Sequence, residues 1–366
     1  MHTSRWTVRE SPLPASLDCA DETALRTFLA VHALEGAVST ATWGWDDLVD
    51  SPADQLRAYA TDRYHRRVLL VAEPAASPTS VVGYALAELP LADNQHLAEV
   101  ELVVDPAHRR EGVGTLLLER VHELLRSEGR THIVLGSDHV AEATPDDSLP
   151  PRTGVGPVRA SEPAAAFLRA HGYELEQTMR YSALPLPAAP GVFAAARADA
   201  AVVAGPDYTV LTWEDHAPEE HLDAYASLLG AMSTDAPLGD IALEPESWDG
   251  ERVRNSEDLA AGVRLCLTAA ALHVPTGELA GFTTLQVPLD HPEVAFQHDT
   301  LVRRGHRGRR LGMLLKAANL ERLIAAAPAA RRVHTWNAAE NRHMLAVNEA
   351  LGFAKVGLVG EWQRTL

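Results

Sequence analysis

The stretch Arg109-Arg110-Glu111-Gly112-Val113-Gly114 has the residue types of an anion cradle. A helix that begins at such a turn leaves its first backbone amides unpaired and presents the positive end of its dipole. Gly112 and Gly114 remove Cβ atoms where a phosphate must approach the backbone closely, and Arg109 and Arg110 can add charge-assisted hydrogen bonds. A second stretch, Arg307-Gly308-Arg309-Arg310-Leu311-Gly312, offers the same chemistry inside a basic run that also holds Arg303 and Arg304. The same residues would also serve a ligand-free strand-to-helix turn, and the arginine run a solvated patch or an interface.

The elements around these stretches repeat. Val104, His108, Arg109 and Gly114 recur as Val302, His306, Arg307 and Gly312, at a constant offset of 198. Each stretch follows a strand-like apolar segment and leads into an amphipathic helix, with Val113, Leu116, Leu117, Val121, Leu124 and Leu125 at helical spacing in the first copy and Leu311, Leu314, Leu315, Ala318 and Leu323 in the second. Downstream, Phe167 to Tyr173 resembles Val347 to Phe353 at an offset of 180, and a Pro/Gly/Asp-rich insertion at about 141–160 accounts for the difference. The strand and helix order is the same in both halves: a mixed α/β pattern, repeated. The hairpins are predicted at 67–72 with 80–89 and at 264–274 with 278–287, and the last strands near 174–184 and 355–366. Domains are therefore expected at 1–187 and 207–366, joined by a Pro/Ala-rich linker at 188–206 that contains a short helix.

Composition narrows the function. The chain of 366 residues carries a formal charge of −18, which argues against a broad nucleic-acid surface and favours cationic small substrates. No apolar run reaches the ~20 residues needed to span a bilayer. Residues 1–10 are polar, without the apolar core of a signal peptide, so a cytoplasmic monomer or homodimer without membrane partners is expected. Cys19 and Cys266 stand alone, and no Cys/His cluster suggests a metal.

The strand, the Arg-x-x-Gly-x-Gly loop at 109–114, the helix after it, and the terminal signatures His171-Gly172-Tyr173 and Leu351-Gly352-Phe353 resemble the GNAT superfamily of N-acetyltransferases. The second loop departs from the pattern at one position, where Arg310 replaces the first glycine. The resemblance covers nearly the whole chain and implies two GNAT-type folds in tandem, each a mixed α/β sheet with helices.

The resemblance also implies acetyl-CoA, or another short acyl-CoA, as co-substrate. Its diphosphate would lie on Arg109, Arg110, Gly112, Val113 and Gly114, or on Arg307, Gly308, Arg309, Arg310 and Gly312. Its pantetheine arm would pair with the strand at Leu102 and Val104, or at Val302. A small-molecule amine would then attack directly, with no covalent enzyme intermediate. Because an alkyl amine has a pKa near ~10, a base helps it lose its proton. Glu101, sharing strand parity with Glu99, and the aligned Asp299 beside His298 are the candidates, or else exposed or paired strand carboxylates. Asn341 and Asn348 are candidates for the amides of the pantetheine arm, or else a helix cap and a buried polar contact. The acceptor loop would use Trp43, Trp45 and Asp46 in one copy and Asp235 and Asp240 in the other, since aromatic and acidic side chains suit a cationic amine, with a place in the core or at an interface as the other reading of the two tryptophans. The family's tyrosine, the proton source for the departing thiolate, is replaced by Leu168 and Asn348. Two other readings compete: an acetyl-CoA-binding sensor or scaffold with silent sites, and acetylation of a protein amine.

Overall fold

The computed structural model describes residues 5–76, 80–235 and 237–366. Residues 1–4 of the polar amino-terminal stretch, and residue 236 in the second acceptor loop, lie outside them. In chain order the elements of the first half are β1 (Trp6–Ser11), α1 (Glu22–Trp43), α2 (Pro52–Tyr59), β2 (His65–Pro74), β3 (Gly83–Pro90), β4 (Leu97–Val104), α3 (Val113–Ser127), β5 (His132–His139), α4 (Pro163–Ala170) and β6 (Glu174–Pro185). Then come α5 (Val192–Ala204), β7 (Tyr208–Glu214), α6 (Leu222–Asp235), α7 (Gly250–Ala260), β8 (Arg264–His273), β9 (Glu278–Pro288), β10 (Val294–Val302), α8 (Leu311–Ala326), β11 (Arg332–Ala338), α9 (Arg342–Leu351) and β12 (Ala354–Thr365). The repeated order is that of a tandem mixed α/β protein.

Packing divides the chain into two units. The first holds residues 1–149, 158–176 and 360–366; the second holds 150–157 and 177–359. Three segments thus lie in the unit built mainly from the other half of the sequence: 150–157, 177–187 and 360–366. Residues 179–185 of β6 run antiparallel to β11 in the second unit. Residues 360–366 join the first, where the Leu366 amide donates to the Thr131 carbonyl at 2.8 Å. An alternating apolar pattern marks a strand but does not name its partner.

Within the first unit β1 to β5 are neighbours in order. On one face α1 and α2 pack Phe28, Val31 and Tyr59 against Leu69, Val71 and Tyr84. α3 buries Val113, Leu117, Val121 and Leu125 of the predicted stripe; Leu116 and Leu124 are half-buried, and Leu118, outside the stripe, is buried. The second unit repeats the plan. Trp213, Tyr225 and Phe282 form the core on one side, and α5, α8 and α9 close the other through Phe193, Leu315 and Leu351.

The feature that positions chemistry is a fork in each sheet. β4 and β5 run parallel from Leu97↔His132 to Val100↔Leu135, and the pairing stops there. β10 and β11 are parallel from Val294↔Arg332 to Phe296↔His334. Past the second fork, β10 shifts register on β9 between Gln297 and Thr300. Such a bulge re-aims neighbouring side chains.

Candidate functional site

Both forks end in the cradles seen in the sequence, and the two cradles share one backbone. After β4 a short turn at Pro106–His108 leads to Arg110 at φ 65° and Gly112 at φ 89°. After β10 the turn at Arg304–His306 leads to Gly308 at φ 80° and Arg310 at φ 54°. The left-handed positions coincide at the offset of 198, with arginine and glycine exchanged between them. Arg310 therefore replaces a glycine without changing the path of the chain, at a cost of about 1 kcal/mol for a left-handed non-glycine residue.

The cradles fit a diphosphate. α1, α2, α7 and α9 each begin with a side chain that accepts from a first-turn amide: Asp21, Ser51, Asp249 and Asn341. α3 and α8 begin without one. A Cβ on Gly112, Gly308 or Gly312 would meet nothing within 4 Å. Gly114 is closer-set, its would-be Cβ lying 3.3 Å from the Phe167 ring. The β4 edge that faces β5 is without strand pairing from Glu101 to Val104, which leaves backbone groups near Leu102 and Val104 for an amide-bearing arm. Val302 is in the same position at the end of β10.

The arginines divide into two groups. Arg109 Nε donates to the Val104 carbonyl at 3.2 Å, and Arg307 Nε to the Val302 carbonyl at 3.0 Å. These two fasten the loop to its strand. Arg304 and Arg307 also pair with Asp235, and Arg303 with Glu278. Arg110, Arg309 and Arg310 are exposed, and among the described residues none of them forms an ion pair. They are the cations available to an incoming phosphate. Beneath each loop lies an aromatic residue from the start of β1 or β7, the strands that open the two copies. Trp6 Nε1 donates to the Glu111 carbonyl at 3.1 Å, and Tyr208 OH lies 2.7 Å from His306 Nδ1.

At the first fork Glu101 is the first β4 residue past the last parallel pair. Water reaches its carboxylate, yet protein closes round it as at the floor of a recess. That surrounding, and then the charge of Glu35 on α1, hold its pKa up at about 8. Tyr84 OH donates to Glu101 at 2.6 Å, and Tyr59 OH donates to Glu35 at 2.7 Å. Gln55 also bonds Glu35 and lies 2.9 Å from His32. Burial first, then the two glutamates, keeps both phenols above their ordinary pKa, so they remain donors. Asp138, on the diverging half of β5, is held up by burial, while a hydrogen bond from Trp43 pulls it down. Two carboxylates and two phenols from α1, α2, β3 and β4 thus meet just past the first fork.

The second fork is built differently. The bulge presents His298 and Asp299 in succession, their surfaces reached by water while protein closes round their polar groups. Burial, then Arg264, lowers His298 to about 4, so its imidazole is neutral at pH 7. Burial and Glu246 raise Asp299. Trp336 stacks on Tyr181 at 4.8 Å and 6°, with Phe296 beyond at 6.3 Å. Asn348 donates to Asn337 Oδ1 at 2.6 Å and keeps its own buried Oδ1 without a partner. Asn341 caps α9 through the Met344 amide.

The remaining candidates are scattered. Trp43 is buried at the end of α1, Trp45 is half-buried, and Asp46 is exposed. Asp235 holds the second loop, as above, and Asp240 pairs with Arg152 at 3.4 Å. Glu35, Tyr59 and Tyr84 escape a sequence reading, because no spacing links them to Glu101. Among the described residues no group of three or more His, Cys, Asp or Glu could hold a metal. Among the same residues no helix is long and apolar enough to cross a membrane.

Comparison with known proteins follows the same lines. The model of the acetyltransferase (GNAT) family matches residues 37–144, in the first copy. A mycothiol acetyltransferase of Sanguibacter keddieii is 31% identical over 234 residues, which span 62% of this chain and 62% of that protein's length. Among solved structures, a tandem GNAT protein from the clavulanic acid biosynthesis pathway is 26% identical, with a TM-score of 0.70 over 98% of each chain. A GCN5-related N-acetyltransferase from Sphaerobacter thermophilus shares the fold at 16% identity, with a TM-score of 0.61 over 99% of this chain and 96% of its own.

Proposed function

Because residues 37–144 match the GNAT acetyltransferase family and the chain shares the fold of a tandem GNAT protein over 98% of its length, we propose that it moves an acetyl or short acyl group from coenzyme A to the amine of a small molecule. The relative's name, mycothiol acetyltransferase, supports acetyl as the group carried. The reaction runs by direct attack in a ternary complex, in the cytoplasm. Coenzyme A supplies the thioester that makes the acyl carbon electrophilic. The chain's own residues do the rest.

In the first copy the amides at the start of α3, with Arg110, bind the diphosphate. The open edge of β4 at Leu102 and Val104 orients the arm, and one of its amides faces the charge that develops on the carbonyl oxygen. Glu101 takes the proton of the attacking amine. Tyr84 fixes the carboxylate by its hydrogen bond, and Glu35 with Tyr59 favours a cationic acceptor. A base with a pKa of about 8 is matched to work near neutral pH. The second copy binds through the amides of Gly308 to Gly312 with Arg309 and Arg310, and its polar pair is His298 and Asp299.

The observation that carries this reading is the meeting, in one fork, of an uncapped helix start, an open strand edge and a raised carboxylate. Calorimetry with acetyl-CoA, followed by thiol release across a panel of polyamines, amino acids and aminoglycosides, tests it. Binding with turnover on one class of amine is expected. Binding without thiol release on any of them would replace this reading with an acetyl-CoA sensor, and release only with peptides would point to a protein acceptor.

A further inference from the structure

The position where the resemblance calls for a tyrosine holds Leu168, buried on α4 with 4% of its surface exposed. A phenol is absent there, but a different proton-bearing group lies on the side of β5 that faces α4. β5 alternates, with Ile133, Leu135, Ser137 and His139 on one side. His139 Nδ1 is hydrogen-bonded to Glu162, the residue that opens α4, so this side faces α4. Ser137 lies two residues beyond Leu135, where β5 has left β4. Its Oγ is 2.7 Å from His139 Nε2 and accepts from Trp362 Nε1 at 2.7 Å. All four residues belong to the first unit.

The hydrogen-bond inventory then restricts the hydroxyl. An indole N–H only donates, so Trp362 always occupies one lone pair of Ser137. When His139 carries a proton on each nitrogen, Glu162 takes the one on Nδ1 and Ser137 accepts the one on Nε2. Both lone pairs of Oγ are then filled, and its own hydrogen has no partner inside the network. His139 keeps 1% of its surface exposed and Ser137 7%, so the serine is the outlet. Gly360 keeps the place clear: a Cβ there would stand 3.0 Å from both Ser137 Oγ and Trp362 Nε1.

We propose that Ser137 is the group that protonates the departing thiolate, with His139, Glu162 and Trp362 as its positioning residues. The inference rests on the acyl-transfer reading above. As the carbon–sulfur bond breaks, Ser137 Oγ gives its proton to sulfur and takes the Nε2 proton of His139. His139 is left without its Nε2 proton beside Glu162 and regains one through Ser137 once the thiol has departed. The amine's proton leaves separately through Glu101, so the exchange balances.

Two measurements test this on the full chain. In the first, Ser137→Ala and Trp362→Phe are compared with the parent on acetyl-CoA and on an acetyl thioester of an acidic aryl thiol. On acetyl-CoA, kcat should fall on the order of 10²-fold for Ser137→Ala, with less change in KM. On the aryl thioester, whose thiolate needs no proton, the defect should largely vanish. Trp362→Phe keeps the ring and should show a smaller defect with the same dependence on leaving group, which keeps the test alive if Ser137→Ala folds poorly. In the second, the thiol pKa of bound coenzyme A is read from thiolate absorbance without turnover. Losing a donor to the thiolate should raise it by on the order of one unit. Equal defects on both thioesters, or an unmoved thiol pKa, would overturn the proposal. So would an acetyl adduct on Ser137, which would make it a nucleophile. Absence of coenzyme A binding in the parent would instead remove the acyl-transfer reading itself.

Discussion

The two cradles trace the same curve with different residues. In the first, glycine takes the second left-handed position and arginine the first; in the second the order is reversed. The recesses behind them have diverged much further. The first gathers Glu35, Glu101, Tyr59 and Tyr84. The second offers a neutral imidazole, an aspartate within reach of the charge of Glu246, and a wall of stacked rings. The contrast separates two requirements. Holding a diphosphate depends on the directions of amides, so it survives side-chain exchange. Handling an amine depends on side-chain chemistry, so one copy can keep it while the other drifts.

The largest effect expected from this contrast is on the base. Glu101→Gln should lower kcat by on the order of 10²–10³-fold, while Asp299→Asn, measured by thiol release with the same acceptor, should change it only a few-fold. The deprotonated carboxylate is the active form, so kcat/KM of the parent should rise with pH through about 8. Glu101→Gln should erase that limb. Equal losses from both substitutions would mean that the copies share the chemistry.

Next in size is the grip on coenzyme A. Gly112→Asp sets a negative charge at the start of α3 and should weaken the first site on the order of 100-fold, leaving the second intact by calorimetry. Loss of both binding events would show that the cradles are coupled.

The smallest effect concerns the exchanged glycine. Arg310→Gly relieves a left-handed arginine and should raise stability to urea by about 1 kcal/mol or less. It also deletes one unpaired cation, so weaker binding at the second site alongside higher stability would show that the arginine is kept for its charge.

Much of this was legible before any coordinates. The repeat, the insertion, both hairpins and the strand–loop–helix units follow from periodicity and glycine placement, because those signals are local. The loop arginines were legible only as charge. That Arg109 and Arg307 bind their own strands while Arg110, Arg309 and Arg310 stay available depends on where each side chain reaches. The acidic recess was half legible. Strand parity singled out Glu101, but Glu35, Tyr59 and Tyr84 arrive from other elements through packing. Ser137, His139, Glu162 and Trp362 span most of the chain, and no local pattern could gather them.

The aromatic residue under each loop differs between copies, and that difference has a practical use. Trp6 is hydrogen-bonded to the first cradle, while Tyr208 does the corresponding work in the second. An indole is a fluorophore whose emission responds to the bond at its nitrogen; a phenol is far dimmer and emits at shorter wavelength. Trp6 is thus a reporter built in beneath the first loop: in a titration with acetyl-CoA, the emission change that the parent shows and Trp6→Phe lacks would report filling of the site proposed there.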